Sequence, residues 1–597
     1  VYQGLFFEGD AGRAAIGIVL VALLALQLET WHRMLGKAAI DRIYPEHADI
    51  GVDRRLTGWN RLVARFAGAI PLAALVAGVI ITALNGYILE REIARVHAAV
   101  VSASAATAPS APAPRYETVL GGHQALITAV SVALAFAAVA GTAIWIGAYA
   151  ERQLDPIRTS HRLRLAIVAV TATIAALGLA FPLFPPTRDY VVPFAQLIGP
   201  LGAIALTFIP FVGLFMLLTY LSSVLRWPVM GTAMLLAAAA LAYQLQASVN
   251  IRQAATRDAR TLSADGGTVV TPDAGGHAGD PAPPGLSVAF DEWLAARPDR
   301  DAFERDGYPV FIVAAQGGGI YASAAALSFL TSMQDECPGF AQHVFAISAV
   351  SGGAVGAAVF NALVADAPAV NQPCGAMDKN LADRATAIVE RDHLSPALLQ
   401  LWTDQFGKIF PARGAALDRS IVLERSFACG FDAGASVMQA CGPASLEAGT
   451  GLRAPFESHW DPGKQPGRPA LVLNATWGET GYRAAFSPFE LRPASDGTMF
   501  VFPSAKLTGD FATAGVTHQH ARRSLIEAAF VSARFPGIVP PYQVRFESDG
   551  RKKVWNFVDG GYVDNSGATT ATEIYLALRA HLMQQATLRG VAAGKAA

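Results

Sequence analysis

Three short stretches of the 597-residue chain carry residue types that could do acyl chemistry. The first is Ala349-Val350-Ser351-Gly352-Gly353, between a mostly apolar strand pattern over 343–349 and an apolar helical pattern. A serine at a sharp strand-to-helix turn has an exposed hydroxyl, with the next backbone N–H facing the same point. The usual elbow has glycine two residues before and two after the serine. Here Ala349 takes the first place, a departure of one methyl group. The second stretch, Gln316-Gly317-Gly318-Gly319, follows an apolar run over 308–315 and opens a helical pattern over about 320–335. Glycines there let backbone N–H groups converge on a developing oxyanion at a helix N-terminus. A phosphate would suit the same turn, but neither a Walker lysine nor a complete GxGxxG accompanies it. The third stretch is a strand pattern ending in Asp559-Gly560-Gly561. A carboxylate at a strand's C-terminal end lies where α/β sites form, and could accept the serine proton or orient a base that does. Taken alone, Asp-Gly-Gly reads better as a self-satisfied turn.

Histidine decides between a pair and a triad. The order Ser351, Asp559, His581 fits an α/β-hydrolase triad, yet His581 falls deep in a helical pattern. His518 and His520 are spaced as strand neighbours with no nearby third ligand, and His343 and His393 read as element boundaries. No CxxC or His/Cys cluster points to zinc.

The elements that must hold these turns begin at Leu286. From there short apolar strands alternate with amphipathic helices, which implies a mainly parallel sheet covered on both faces. The three turns together resemble the patatin-like phospholipase family. Leu394-Ser-Pro396, Asp418-Arg419 with Leu423-Glu-Arg425, Leu473-Asn-Ala-Thr476 with Glu479-Thr-Gly-Tyr-Arg483, and Ser532-Ala-Arg-Phe-Pro536 look like its bacterial, membrane-attached branch. The resemblance covers residues 305–580, about half the chain. It implies a patatin-like α/β hydrolase domain and lipid acyl-ester hydrolysis through an acyl-serine. The family's nucleophile falls on Ser351, its aspartate on Asp559 and its oxyanion hole on Gly317, Gly318 and Gly319, with no cofactor or metal. One further departure concerns substrate: where the family usually carries Arg or Lys, this chain has Tyr321, preceded by Ile320.

The first 250 residues are of another kind. Charged residues make up only 16% of the chain and the net charge is −1, which gives no reason to expect nucleic acid. Six apolar stretches, at 13–31, 66–89, 125–149, 164–184, 197–223 and 228–247, approach the length needed to cross a bilayer. The start of the long run over 191–225 reads as interfacial. No charge lies deep in any span, which favours an all-α multi-span anchor over a transporter. Twelve Lys and Arg flank the spans on one side and eight on the other. That bias puts both ends of the chain outside, in the periplasm for a Gram-negative inner membrane, with the cytoplasm as the alternative. A Gly- and Pro-rich linker over 251–285 joins this anchor to the domain at 286–597. All four cysteines lie in that domain. Sequence order suggests Cys337–Cys374 and Cys429–Cys441 among three connectivities, with four buried thiols as the other reading. The expected partners are therefore a lipid substrate and the bilayer. Two further readings stay open: a patatin-fold accessory subunit without activity, and an acyltransferase using the same pair.

Overall fold

The computed structural model describes residues 190–225 and most of 284–588, with longer gaps at 366–379 (Cys374 apart), 410–418, 433–449, 492–498 and 504–523. The expected spans at 13–31, 66–89 and 125–149 lie outside the described residues, as do nearly all of 164–184, most of 228–247 and the linker to 283. His518 and His520 lie outside them too.

Seven strands form one sheet. They are β1 (Phe311–Ala315), β2 (Val344–Val350), β3 (Ala470–Trp477), β4 (Tyr482–Ser487), β5 (Met499–Pro503), β6 (Tyr542–Ser548) and β7 (Arg551–Asp559). The expected mainly parallel sheet is mixed. Pairs β1–β2, β2–β3 and β4–β5 are parallel, whereas β3–β4, β3–β7 and β6–β7 are antiparallel. Short connections are the reason for β3–β4 and β6–β7. Only four residues separate β3 from β4 and two, Asp549-Gly550, separate β6 from β7. Links that short close hairpins, because a parallel crossover needs a dozen residues or more.

The arrangement around β3 positions the site. Strand β4 pairs with β3 at 473–477, and β2 pairs with it at 470–474, so these two lie on opposite edges. Strand β7 pairs with 475–477, which β4 also occupies, so β7 shares the β2 edge. Val350 pairs with Asn474 and Asp559 with Ala475. The C-terminal ends of β2 and β7 therefore meet head to head along one edge of β3.

Helices cover both faces. Leu471, Leu473, Ala475 and Trp477 of β3 enter one core; Ala470 and Val472 enter the other. That is the period-two alternation of a strand. The first core packs α3 (Gly319–Glu336), α4 (Gly352–Leu363), α7 (Arg419–Phe431) and α8 (Leu525–Ser532). The second packs α2 (Leu286–Ala295) and α9 (Ala568–Leu588). Between them in sequence lie α5 (Asn380–Val389) and α6 (Leu394–Ile409). Every residue of α4 is buried, as expected of a helix apolar all round.

Helix α1 (Val191–Leu225) breaks at Gly199, where φ is 70° and ψ 175°, just before Pro200. Proline disfavours helix in the residue before it. Among the described residues no single helix is long and apolar enough to cross a membrane; Val191–Pro200 and Gly202–Leu214 qualify only together, bent by 105°. Contacts assign 191–197 to the unit that holds the sheet and 198–225 to the other unit. The expected interfacial start is instead docked: Val191, Val192 and Ala195 are buried, and Gln196 donates to the Asp392 carbonyl (3.0 Å) and the Ser426 hydroxyl (3.3 Å).

Candidate active site

At the β2–β7 junction the Ser351 hydroxyl donates to Asp559 Oδ2 over 2.5 Å. Both residues are buried, at 8% and 4% exposure. Ser351 caps the N-terminus of α4 with φ 51° and ψ −124°, and is the only non-glycine residue with positive φ among those described. Such a conformation costs about 1–3 kcal/mol and persists only where its surroundings impose it. Here the surroundings are backbone. A Cβ at Gly352 would run into the Gly319 carbonyl, and one at Gly353 into the Ala315 and Gln316 carbonyls. The elbow can thus be pressed against the first glycine turn only if both residues lack a side chain. Ala349 lies two residues before the serine, inside the first core, where its methyl is fully buried among apolar neighbours.

Asp559 closes β7 as Ser351 follows β2. Its Oδ1 accepts the Gly561 N–H at 2.9 Å, which starts the turn after the strand. Its backbone N–H donates to the Arg534 carbonyl at 3.0 Å and its carbonyl accepts the Thr476 hydroxyl at 2.9 Å. The carboxyl is held above the ordinary aspartate range. Burial is the cause, opposed by the bonds from Ser351 and Gly561. A buried carboxylate with a raised pKa is a stronger base than one in water.

The three glycines of the first turn are not equivalent. The Gly317 N–H is already given to the Asn565 carbonyl at 2.8 Å, which ties this turn to the segment after Asp559. Gly317 also lies against Ser351, whose Cβ would be 3.1 Å from a Cβ added there. Gly318 (φ 150°) and Gly319 (φ 61°) follow in conformations that suit glycine, and their N–H groups lie at the start of α3. Those two are the donors left to offer an incoming oxygen.

Sequence reasoning did not assign roles to the residues beneath the pair. The Ser532 hydroxyl accepts the Ser351 N–H at 2.9 Å and donates to the Asn474 carbonyl. The Asn474 amide donates to the Ser348 hydroxyl (3.0 Å) and the Ala349 carbonyl (3.2 Å), and accepts from Thr570 (2.6 Å). Ser348 donates to the Gly567 carbonyl at 2.7 Å. All of these side chains are buried, so each bond replaces water that the interior cannot supply. The signal was present as polar residues at inward strand positions, Ser348 and Asn474, in otherwise apolar runs.

The histidines fall elsewhere. His581 Nε2 lies 3.0 Å from Asp291 on α2, and not at Asp559. His393 stacks on Phe427 and bonds Ser426 and the Ile388 carbonyl; burial lowers its pKa to about 4. No group of acidic, His or Cys side chains able to hold a metal occurs among the described residues.

A strand–serine–helix elbow, a glycine turn beside it and an aspartate across from it, in a sheet layered by helices, define an α/β hydrolase type of domain. Residues 313–572 match the family model described as patatin-like phospholipase. No curated protein matches the chain.

Proposed function

We propose that the protein is a membrane-attached lipid acyl hydrolase in which Ser351 and Asp559 act as a two-residue catalytic pair. The observation that carries this reading is the 2.5 Å hydrogen bond from Ser351 to a buried carboxylate with no histidine between them. Asp559 takes the Ser351 proton as Oγ attacks the ester carbonyl. The N–H groups of Gly318 and Gly319 receive the negative charge that develops on the carbonyl oxygen. Collapse breaks the ester bond, and the departing alkoxide takes the proton back from Asp559. Water, deprotonated by the same carboxylate, then attacks the acyl-serine; the acyl–Oγ bond breaks, Asp559 returns the proton to Ser351 Oγ, and the fatty acid is released.

Attachment to a membrane rests on the six apolar stretches before residue 250. An oxidising, periplasmic side for the domain is supported by the Cys337–Cys374 disulfide and by Cys429, which is also disulfide-bonded. The test is hydrolysis of a fatty-acyl ester by the purified full chain and by Ser351→Ala and Asp559→Asn. Turnover by the parent that both substitutions abolish is expected. Turnover that survives either one contradicts the pair.

A further inference from the structure

Four segments frame Ser351: residues 316–323, 350–353, 532–539 and 559–567. Hydrogen bonds join them, from Gly317 to Asn565, from Ser351 to Ser532 and from Asp559 to Arg534. Where they reach the surface they present large apolar side chains. Tyr321 is 60% exposed, Phe535 50%, Ile538 56%, Tyr562 58% and Val563 44%. Phe535 and Tyr562 stack with ring centroids 5.9 Å apart. Single exposed apolar residues are ordinary; five on the segments around one buried hydroxyl mark a surface that meets apolar material.

The charges on the same segments are one-sided. They contain one basic residue, Arg534, which is buried and paired with Glu424 at 3.2 Å. They contain two acids, Asp559 and Asp564. Burial pushes the Asp564 carboxyl up, but hydrogen bonds from Ser566 and Thr569 outweigh this and hold it below the usual range, so it is anionic at neutral pH. A phosphate brought here would meet carboxylate and aromatic surface, with no cation on these segments turned toward it. Like charges in a partly desolvated site repel, which is how binding sites reject the wrong partner. An uncharged ester loses nothing here, and its acyl chains cover the exposed rings.

We infer that the site selects long-chain esters with an uncharged head group, acylglycerols being the simplest, over lipids with an anionic phosphate head group. Tyr321 and the stacked Phe535–Tyr562 pair are the specificity-determining residues. The inference rests on the hydrolase reading above and narrows its substrate.

The full chain is assayed in one nonionic detergent against dioleoylglycerol and dioleoylphosphatidylglycerol, which share acyl chains, with p-nitrophenyl butyrate as a soluble ester. The glycerolipid should exceed the phosphatidyl lipid in kcat/KM by about 10-fold or more, and Tyr321→Arg should narrow that ratio by about 10-fold. Phe535→Ser should lower the glycerolipid rate relative to the butyrate rate. A ratio needs no fully stable variant, since partial loss of folded protein cancels. Equal or faster turnover of the phosphatidyl lipid, with butyrate hydrolysed, overturns the selectivity and leaves the hydrolase reading standing. Ratios unmoved in both variants overturn the assignment of residues. Failure to hydrolyse all three esters defeats the hydrolase reading and this one with it.

Discussion

The two ends of β2 both bury a carboxylate, and they use it differently. Beside the N-terminal end, Asp299 accepts from Tyr308 (2.9 Å) and Gln342 (2.6 Å) and lies 3.1 Å from His343 Nε2. Arg297 lies over the Trp293 ring and donates to the carbonyls of Trp293, Gln342 and Pro466. Burial lowers Arg297 to about 10 and pushes His343 down; burial, then the bond to Asp299, pushes Tyr308 up. At the C-terminal end the Asp559 carboxyl receives one hydroxyl and one N–H, and burial leaves it more basic than a free aspartate. A carboxylate ringed by donors ties a fold together. One given few donors, opposite a strained serine, suits the proton-accepting role proposed for Asp559.

The sharpest way to break this contrast is to remove each group in turn. Ser351→Ala should lower ester turnover by about 10³-fold or more, as loss of a nucleophile does elsewhere, with an unchanged melting curve. Asp559→Asn should lose activity on a similar scale without losing stability near neutral pH. The sign follows from the raised folded pKa. The ionised form costs stability at pH above the folded pKa, and that cost disappears as pH falls below the unfolded value. Any stability gained by the asparagine variant should therefore vanish in acid. Asp299→Ala should do the reverse, costing about 3 kcal/mol by stranding buried donors and leaving kcat of the folded fraction within about two-fold, as expected of a distant site. Chemical denaturation with turnover assays on the same samples checks all three.

Smaller effects sharpen the picture of the base. The parent's kcat/KM should rise with pH through one acid limb lying above the ordinary aspartate range, because Asp559 must be ionised to accept the proton. A limb at or below that range contradicts the buried base. Ser532→Ala should lower kcat about 10- to 100-fold with KM nearly unchanged, since it removes one buried bond to the Ser351 N–H. Ser532→Thr should recover part of the loss; an equal fall in kcat and in folded protein would reduce Ser532 to a packing role.

Much of this site could be read from local pattern. The glycine turn, the serine elbow and the aspartate are each written in a few adjacent residues, and their order in the chain suggested one site. Two things were not local. Strand direction depended on how β3 divides its edges among β2, β4 and β7, although Asp549-Gly550 did carry a hairpin signal. The use of Gly317 depended on Asn565, a partner 248 residues away whose carbonyl takes the N–H that sequence alone assigned to an oxyanion. Ser532 was visible only as part of a stretch resembling a family, and Ser348 and Asn474 only as polar residues in apolar strand runs, because a supporting hydrogen bond leaves no spacing rule in sequence. The same holds for residues 191–197, whose apolar run suits a membrane surface as well as the docked helix they form.

The most direct test of the central claim is to find which atom reacts. The purified full chain is treated with a fluorophosphonate, digested and mapped by mass spectrometry. A single adduct on the peptide bearing Ser351, formed more slowly in acid and lost in Asp559→Asn, is the expected result. An adduct on another residue, or none under conditions that label a control serine hydrolase, would contradict the Ser351–Asp559 pair.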